Sequence, residues 1–399
     1  MNIDNTALDN CIKCTTCVSH CPVAGVTEKF PGPKQVGPDL FRLRILGLPA
    51  YHPALDFCTN CKRCDVACPS GVKISTMNVL AREEMLSQNG LPLRDRMLAR
   101  PDWSGKLGGM APALVNLASG ISLLRKIAGA ITGISPDMTM PRYAGKGFYS
   151  LSKKRKSKPS PNRAVYFPGC YVNYYSPETG LAVLNVLEKC GVEVLPARFG
   201  CCGLPLVSSG QLATARKVAD RNIRLLQNYI KQGCIVITSC PSCSLALRQE
   251  YREVLGAGDD YRPEGNILDI FEYLLFRIPE KKLAAQLFPL AGHAGYHQPC
   301  HTRAMGLGSP SLEVLGMIPE LRVTPLDAGC CGLSGSYGFK REKYPVSMEI
   351  GQNLFRAARE LGTGRIITEC GMCQLQIRHG TGLDTCHPVQ LLAASYRGG

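Results

Sequence analysis

Cys170, Cys201-Cys202-Gly203 and Cys240-Pro241-Ser242-Cys243 make one set of five cysteines; Cys300, Cys330-Cys331-Gly332 and Cys370-Gly371-Met372-Cys373 make a second. Corresponding cysteines lie about 130 residues apart, so the chain carries a duplicated unit of ordinary domain size. Adjacent cysteines are poorly placed to bridge one another. They can, however, present two thiolates to one metal assembly while the C-x-x-C pair supplies two more. Five sulfurs exceed what a single tetrahedral zinc ion uses, so the pattern points to a shared polynuclear iron site.

The residues around these cysteines read alike in both units. In the first, residues 164–167 form a short apolar strand leading to Pro168-Gly169-Cys170. A helix follows with Leu181, Leu184 and Leu187 on one face and Gly191 past its end. Residues 192–195 are a strand running towards Cys201, residues 212–230 a helix, and residues 235–238 a strand that delivers Cys240. In the second unit, Leu312, Leu315 and Ile318 mark a helix and residues 321–326 the strand before Cys330. A helix then runs through Met348, Leu354 and Ala358, and residues 365–368 are the strand before Cys370. Alternating strands and helices predict parallel sheets, with the ligands just past the carboxyl ends of strands.

Upstream, Cys11, Cys14, Cys17 and Cys21-Pro22 repeat as Cys58, Cys61, Cys64 and Cys68-Pro69. This is bacterial ferredoxin spacing, in which three close cysteines hold a cubane and the fourth crosses to the other cluster. Cys11, Cys14, Cys17 and Cys68 are therefore assigned to one [4Fe–4S] cubane, and Cys58, Cys61, Cys64 and Cys21 to the other. Paired zinc knuckles are the competing reading, and they do not require the proline after each fourth cysteine. The segment between the two runs is too long for the compact β-type ferredoxin. Met77, Leu80, Ala81 and Met85 fall near helical spacing, so residues 1–95 are expected to form an α-helical two-cluster ferredoxin domain.

Residues 96–162 contain no cysteine and are read as a linker. Leu114, Leu117, Ile121, Leu124, Ala128 and Ile131 follow one another at spacings of three and four, giving one apolar stripe with Arg125 and Lys126 off it. Pro112, Asn116 and interspersed glycines argue against a spanning helix. The stripe packs on a neighbouring domain or lies in a bilayer interface, helped there by the basic run Lys153-Lys154-Arg155-Lys156-Ser157-Lys158. Taken alone, such a run is a solvated linker. The first repeat then occupies 163–290 and the second 291–399.

The 399 residues and 45% hydrophobic content suffice for several domains. Met1 to Asn5 show neither a basic nor an apolar leader region, so the 21 cysteines are expected in a reducing cytoplasm as metal ligands rather than disulfides. Part of the +15 formal charge balances anionic clusters, and the remainder favours an anionic membrane surface or an acidic partner. Nucleic acid is excluded as partner, because the basic residues are not interleaved with stacking aromatics. Neither G-x-G-x-x-G nor G-x-x-x-x-G-K-[ST] occurs, so no FAD or NAD site is expected and the chain's cofactors must carry single electrons.

Together these motifs resemble the CCG-domain iron–sulfur proteins of the heterodisulfide reductase type. Phe30-Pro31-Gly32-Pro33-Lys34-Gln35, Cys61-Lys62-Arg63-Cys64 and Gly335-Ser336-Tyr337-Gly338-Phe339-Lys340 narrow this to the iron–sulfur subunits of anaerobic glycerol-3-phosphate dehydrogenases. The resemblance implies one non-cubane [4Fe–4S] cluster on Cys170, Cys201, Cys202, Cys240 and Cys243. It implies a second on Cys300, Cys330, Cys331, Cys370 and Cys373, with zinc as a rival at either site. It further implies flavin-containing dehydrogenase partners, delivery of electrons to menaquinone, and peripheral attachment to the cytoplasmic face of the inner membrane. Catalytic disulfide reduction, and service as the iron–sulfur subunit of a lactate or glycolate oxidase, are the alternatives.

Cys190, Cys234 and Cys386 remain and are read as core packing. His297, His301 and His387 lie near proposed ligands and could tune a cluster or relay protons, although backbone hydrogen bonding accounts for each taken singly. His301, adjacent to Cys300, is the one candidate for a catalytic residue.

Overall fold

The computed structural model describes residues 10–48, 51–155 and 157–396. Met1 to Asn5 and Lys156, on which two of the sequence expectations rest, lie outside them. Two four-stranded parallel sheets carry the repeats. The first has β1 (Arg163–Phe167), β2 (Glu193–Leu195), β3 (Ile235–Thr238) and β4 (Ile267–Asp269) in the order β2-β1-β3-β4. The second has β5 (Gly292–Tyr296), β6 (Leu321–Pro325), β7 (Arg365–Ile367) and β8 (Asp384–Cys386) in the order β6-β5-β7-β8. Ala164 to Phe167 are all buried, as expected of a central parallel strand covered by helices on both faces.

In each sheet the chain leaves the first strand towards one side and returns on the other. That reversal puts a crevice beyond the carboxyl ends of two neighbouring strands, the place where open α/β sheets hold ligands. Cys170 follows β1 and Cys240 follows β3; Cys300 follows β5 and Cys370 follows β7.

The two repeats pack reciprocally. Helix Pro177–Lys189 of the first lies on Pro388–Ser395 of the second, while Ile270–Arg277 of the first lies on Pro310–Leu315 of the second. A single apolar core runs through this contact, with Val183, Leu187, Phe271 and Leu274 meeting Val314, Leu315, Val389 and Leu392. The interface therefore has the self-complementary form of a two-fold dimer, built within one chain.

The described part of residues 10–95 is helical and contains no strand, the principal helix being Ile74–Asn89. It sits against both repeats. The Arg82 guanidinium donates to the carbonyls of Leu55 and Cys58, at 2.5 and 2.8 Å, and to that of Ser208 in the first repeat. On the other side the Lys343 ammonium, 1% exposed, pairs with the Asp56 carboxylate. Burial works against the Asp56 anion, yet Lys343 and Lys340 together hold its pKa down at about 2.

The apolar stripe is not continuous. It divides into helices Pro112–Gly120 and Ser122–Thr132, bent by 93°. Ile121 at the break has extended backbone, φ −85° and ψ 116°, and the preceding glycine gives helix little support. No single described helix is long and apolar enough to cross a membrane, although this bent pair passes together by length and composition. Packing against a neighbouring domain does not absorb the stripe: Leu114, Leu117 and Ile131 are 69, 66 and 81% exposed. The helix of the second repeat also ends sooner than expected, at Leu315, leaving buried Ile318 beyond it.

Candidate metal centre

Thiol burial sets the chemistry, because a buried thiolate needs a cation beside it. In the first repeat the side chains of Cys170, Cys201, Cys202, Cys243 and Cys240 form a chain of neighbouring thiols. The second repeat reproduces it with Cys300, Cys330, Cys331, Cys373 and Cys370, where the Cys331 and Cys373 sulfurs are 3.2 Å apart. In both, the cysteine that opens the Cys-Cys pair has a pKa well below the usual thiol range. The thiol of Cys170 donates to Cys201 and that of Cys300 to Cys330; Cys202 and Cys331 add second bonds. The Gly203 and Gly332 amides donate to the same two sulfurs at 3.4 Å.

Glycine is needed at both turns. Gly203 and Gly332 have φ of +82° and +88°, and a Cβ on Gly332 would collide with the Ser347 carbonyl oxygen. The Cys-Cys-Gly signature thus follows from a left-handed turn pressed against backbone.

In the helical region the crossover between the two cysteine runs is visible. Cys17 has Cys11, Cys68 and Cys14 as its thiol neighbours, whereas Cys64 has Cys61, Cys58 and Cys21. Burial raises the Cys21 thiol to about 11 and the Cys61 thiol to about 12, so these sulfurs stay protonated until a cation replaces the proton. Lys13, Thr15, Asn60 and Lys62 all have positive φ, between 51° and 65°. Left-handed residues thus flank Cys14 and Cys61 alike, a costly backbone repeated only at the two cysteine loops among the ferredoxin residues described. Cys21, Cys58, Cys61 and Cys64 line a cavity with Phe30 and Ser75. A cavity of this kind, walled by four thiols, fits an iron–sulfur cubane, and five converging sulfurs with one activated thiol fit a larger thiolate cluster.

The sites are neighbours rather than islands. Cys61 of the second ferredoxin run has Cys330 and Cys21 among its thiol neighbours, and Cys300 in turn has Cys61. Ser334 Oγ donates to the Thr59 carbonyl at 2.8 Å across the same boundary. The two repeats also reach into each other. The Tyr171 ring, next to Cys170, lies so close to Gly371 that a Cβ there would collide with it. His301, next to Cys300, bonds Ser242 Oγ through Nδ1 at 2.9 Å.

His301 is therefore a junction. Its Nε2 lies 3.3 Å from the Asn60 carbonyl, which can only accept, so Nε2 carries the proton and Nδ1 accepts from Ser242. One ring joins the ferredoxin loop to both five-cysteine sites. His387 fits the backbone-bonding expectation: Nε2 donates to the Ser239 carbonyl at 2.8 Å and Nδ1 accepts from the Val389 amide at 3.1 Å. His297 does not, for its buried Nε2 has no hydrogen-bond partner. Burial lowers the His297 and His301 pKa values to about 4. Cys190 and Cys234 are each 1% exposed, as core cysteines should be, while Cys386 is only partly buried.

Sequence reasoning missed a buried ion pair beside the relay. Lys62 follows Cys61 and is 5% exposed; its ammonium pairs with Glu250, which is 0% exposed and lies in the π-helical turn Ala246–Glu250 after Cys243. Burial opposes the Lys62 charge, but Glu250 holds the pKa above its ordinary value. No local pattern connects residues so far apart in the chain.

Comparison with known proteins agrees with this geometry. Residues 164–248 and 294–378 match the Cysteine-rich domain family (CCG), and residues 7–72 match the 4Fe-4S dicluster domain. The subunit designated C of the anaerobic glycerol-3-phosphate dehydrogenase of Escherichia coli (strain K12) is 37% identical over 396 residues, covering 98% of this chain and 99% of its own. The chain belongs to the family of that subunit. The subunit designated B of the fumarate reductase (CoM/CoB) of Methanothermobacter marburgensis is 28% identical over 394 residues, 94% of this chain and 68% of its own length. The subunit designated D of the dihydromethanophenazine:CoB–CoM heterodisulfide reductase of Methanosarcina barkeri is 22% identical over 410 residues, 94% of this chain and 89% of its own. As a member of the glycerol-3-phosphate dehydrogenase subunit family, the chain is an iron–sulfur electron-transfer protein.

Replacing Glu250 with Ala strands the Lys62 charge and should cost about 3–5 kcal/mol. Pairing Lys62→Met with Glu250→Leu should recover most of that loss. Denaturant unfolding of the variants checks this, and an unchanged midpoint for Glu250→Ala would contradict it.

Proposed function

We propose that this chain is the electron-transfer subunit of a flavin-dependent glycerol-3-phosphate dehydrogenase, delivering electrons to menaquinone at the membrane surface. The reading is supported most by one observation: thiols of both ferredoxin runs and of the second five-cysteine set neighbour one another in series, from Cys11 through Cys17, Cys21 and Cys61 to Cys330 and Cys300. Cys11, Cys14, Cys17 and Cys68 would hold one cubane, and Cys58, Cys61, Cys64 and Cys21 the other. The two five-cysteine sets would each hold a non-cubane [4Fe–4S] cluster. Bound clusters supply one-electron carriers. The chain's own residues position the sulfurs, keep water out and offset negative charge with buried Arg82, whose hydrogen bonds go to carbonyl oxygens rather than carboxylates.

The exposed apolar side chains of Pro112–Gly120 and Ser122–Thr132 would meet lipid, on the cytoplasmic face of the inner membrane. Two short helices at a right angle present more apolar area to a flat interface than a single helix end would, and Lys126 is exposed beside them. Catalytic disulfide reduction is the second reading, favoured by the completeness of both five-cysteine sets.

Purified anaerobically with its partner subunits, the chain should be reduced by glycerol 3-phosphate and not by lactate. Reoxidation should follow on adding a menaquinone analogue; reduction by lactate, or turnover of a disulfide at the quinone rate, would overturn the reading. Separately, the chain should sediment with vesicles containing phosphatidylglycerol, and Leu114→Ser with Leu117→Ser should reduce the bound fraction about tenfold. Equal binding by that variant would remove the lipid contact from the proposal.

A further inference from the structure

The two repeats correspond around their first cysteine, and one of the differences between them puts a new donor beside the sulfurs. Tyr166-Phe167-Pro168-Gly169-Cys170 aligns with Tyr296-His297-Gln298-Pro299-Cys300. Tyr166 and Tyr296 play corresponding parts: the first hydroxyl lies 2.6 Å from Ser239 Oγ, one residue before Cys240, and the second donates to Glu369, one before Cys370, at 3.0 Å. At the next position the first repeat has a phenyl ring, fully buried and packed on Phe199 with centroids 5.1 Å apart. The second has an imidazole, 3% exposed.

That imidazole is aimed. A ligand nitrogen of His297 and the sulfurs of Cys331 and Cys373 all lie within 4.8 Å of one another. His297 Nε2 is buried and finds no hydrogen-bond partner in the protein. Leaving a buried ring nitrogen without a partner is costly, so its place needs a reason. The other two histidines of this region are bonded through both nitrogens.

We propose that His297 donates a hydrogen bond from Nε2 to a sulfur of the cluster held by the second five-cysteine set, making that site easier to reduce than the first. This rests on the reading that the set holds an iron–sulfur cluster. Hydrogen bonds to cluster sulfurs stabilise the extra negative charge of the reduced state and so raise the potential. Phe167 offers the first site no such donor. The second site is also the one beside Cys61, so an electron leaving the ferredoxin loops meets the more oxidising of the two sites first. No bond is made or broken and no proton need move; one electron is gained by the second set and lost by its neighbour. The asymmetry would give a duplicated, nearly symmetric pair of sites a direction.

The test is an anaerobic redox titration of the holoprotein followed by electron paramagnetic resonance, with the second-site signal identified by its loss in Cys331→Ser. His297→Phe should keep the parent's iron and sulfide but shift electron partition away from the second site about tenfold, equivalent to about 59 mV for one electron. His297→Gln, which retains a donor, should restore most of the shift. Chain labelled with 15N-histidine should show a weak nitrogen coupling to the second-site signal that His297→Phe abolishes. Identical titrations of parent and His297→Phe would overturn the assignment, as would His297→Gln shifted as far as His297→Phe; should His297→Phe lose iron, an unshifted potential in His297→Leu, which also lacks the donor, would overturn it. A strong coupling diagnostic of a directly bound nitrogen would replace the hydrogen bond with ligation and equally overturn it. Parent protein without iron would instead defeat the reading of the site on which the inference stands.

Discussion

A sulfur anion in a dry interior is unstable unless positive charge sits beside it, and this constraint accounts for much of the architecture. The ten cysteines of the two five-cysteine sets are drawn to the carboxyl ends of parallel strands, where backbone amides of Gly203 and Gly332 already point at sulfur. The ferredoxin sulfurs are gathered by loops whose residues accept left-handed backbone at four non-glycine positions. Thiols raised by burial, such as Cys21 and Cys61, and thiols lowered by their neighbours, such as Cys201 and Cys330, express the same situation: sulfurs crowded together and waiting for a metal to displace protons.

The second organising fact is that the repeats embrace. Reciprocal helix packing makes their interface resemble that of a two-fold dimer, and it carries Tyr171 onto Gly371 and His301 onto Ser242. The residue after the first cysteine of each repeat thereby touches the C-x-x-C loop of the other. The ferredoxin helices close over this pair asymmetrically. Lys62 and Arg82 bind the first repeat, Cys61 and Asp56 face the second, and Asn60 reaches both. Two similar halves become unequal through what covers them.

Much of this was legible in the chain. Cysteine spacing is rigid, because ligands must converge, so both ferredoxin runs and both five-cysteine sets could be read directly, as could strands lying immediately before them. The helical character of the first region followed from the length between its cysteine runs. Other features were not legible for identifiable reasons. β4 and β8 are three residues each, and unlike the equally short β2 and β7 they lead to no proposed cysteine ligand that would mark them. The stripe from Leu114 to Ile131 continues in phase across Gly120 and Ile121, so spacing alone concealed the right-angle break. The Lys62–Glu250 pair and the unpartnered nitrogen of His297 depend on contacts between distant segments, for which local sequence holds no signal. The Phe167 and His297 difference was readable from the duplication, but only the buried orientation of the ring gives it meaning.

The central claim is that thiolates gather iron into a one-electron relay, and chemical analysis of anaerobically isolated protein tests it most directly. The account predicts brown protein with iron and acid-labile sulfide in nearly equal amounts, roughly 12 to 16 atoms of each per chain. Colourless protein containing zinc as its only metal would contradict it.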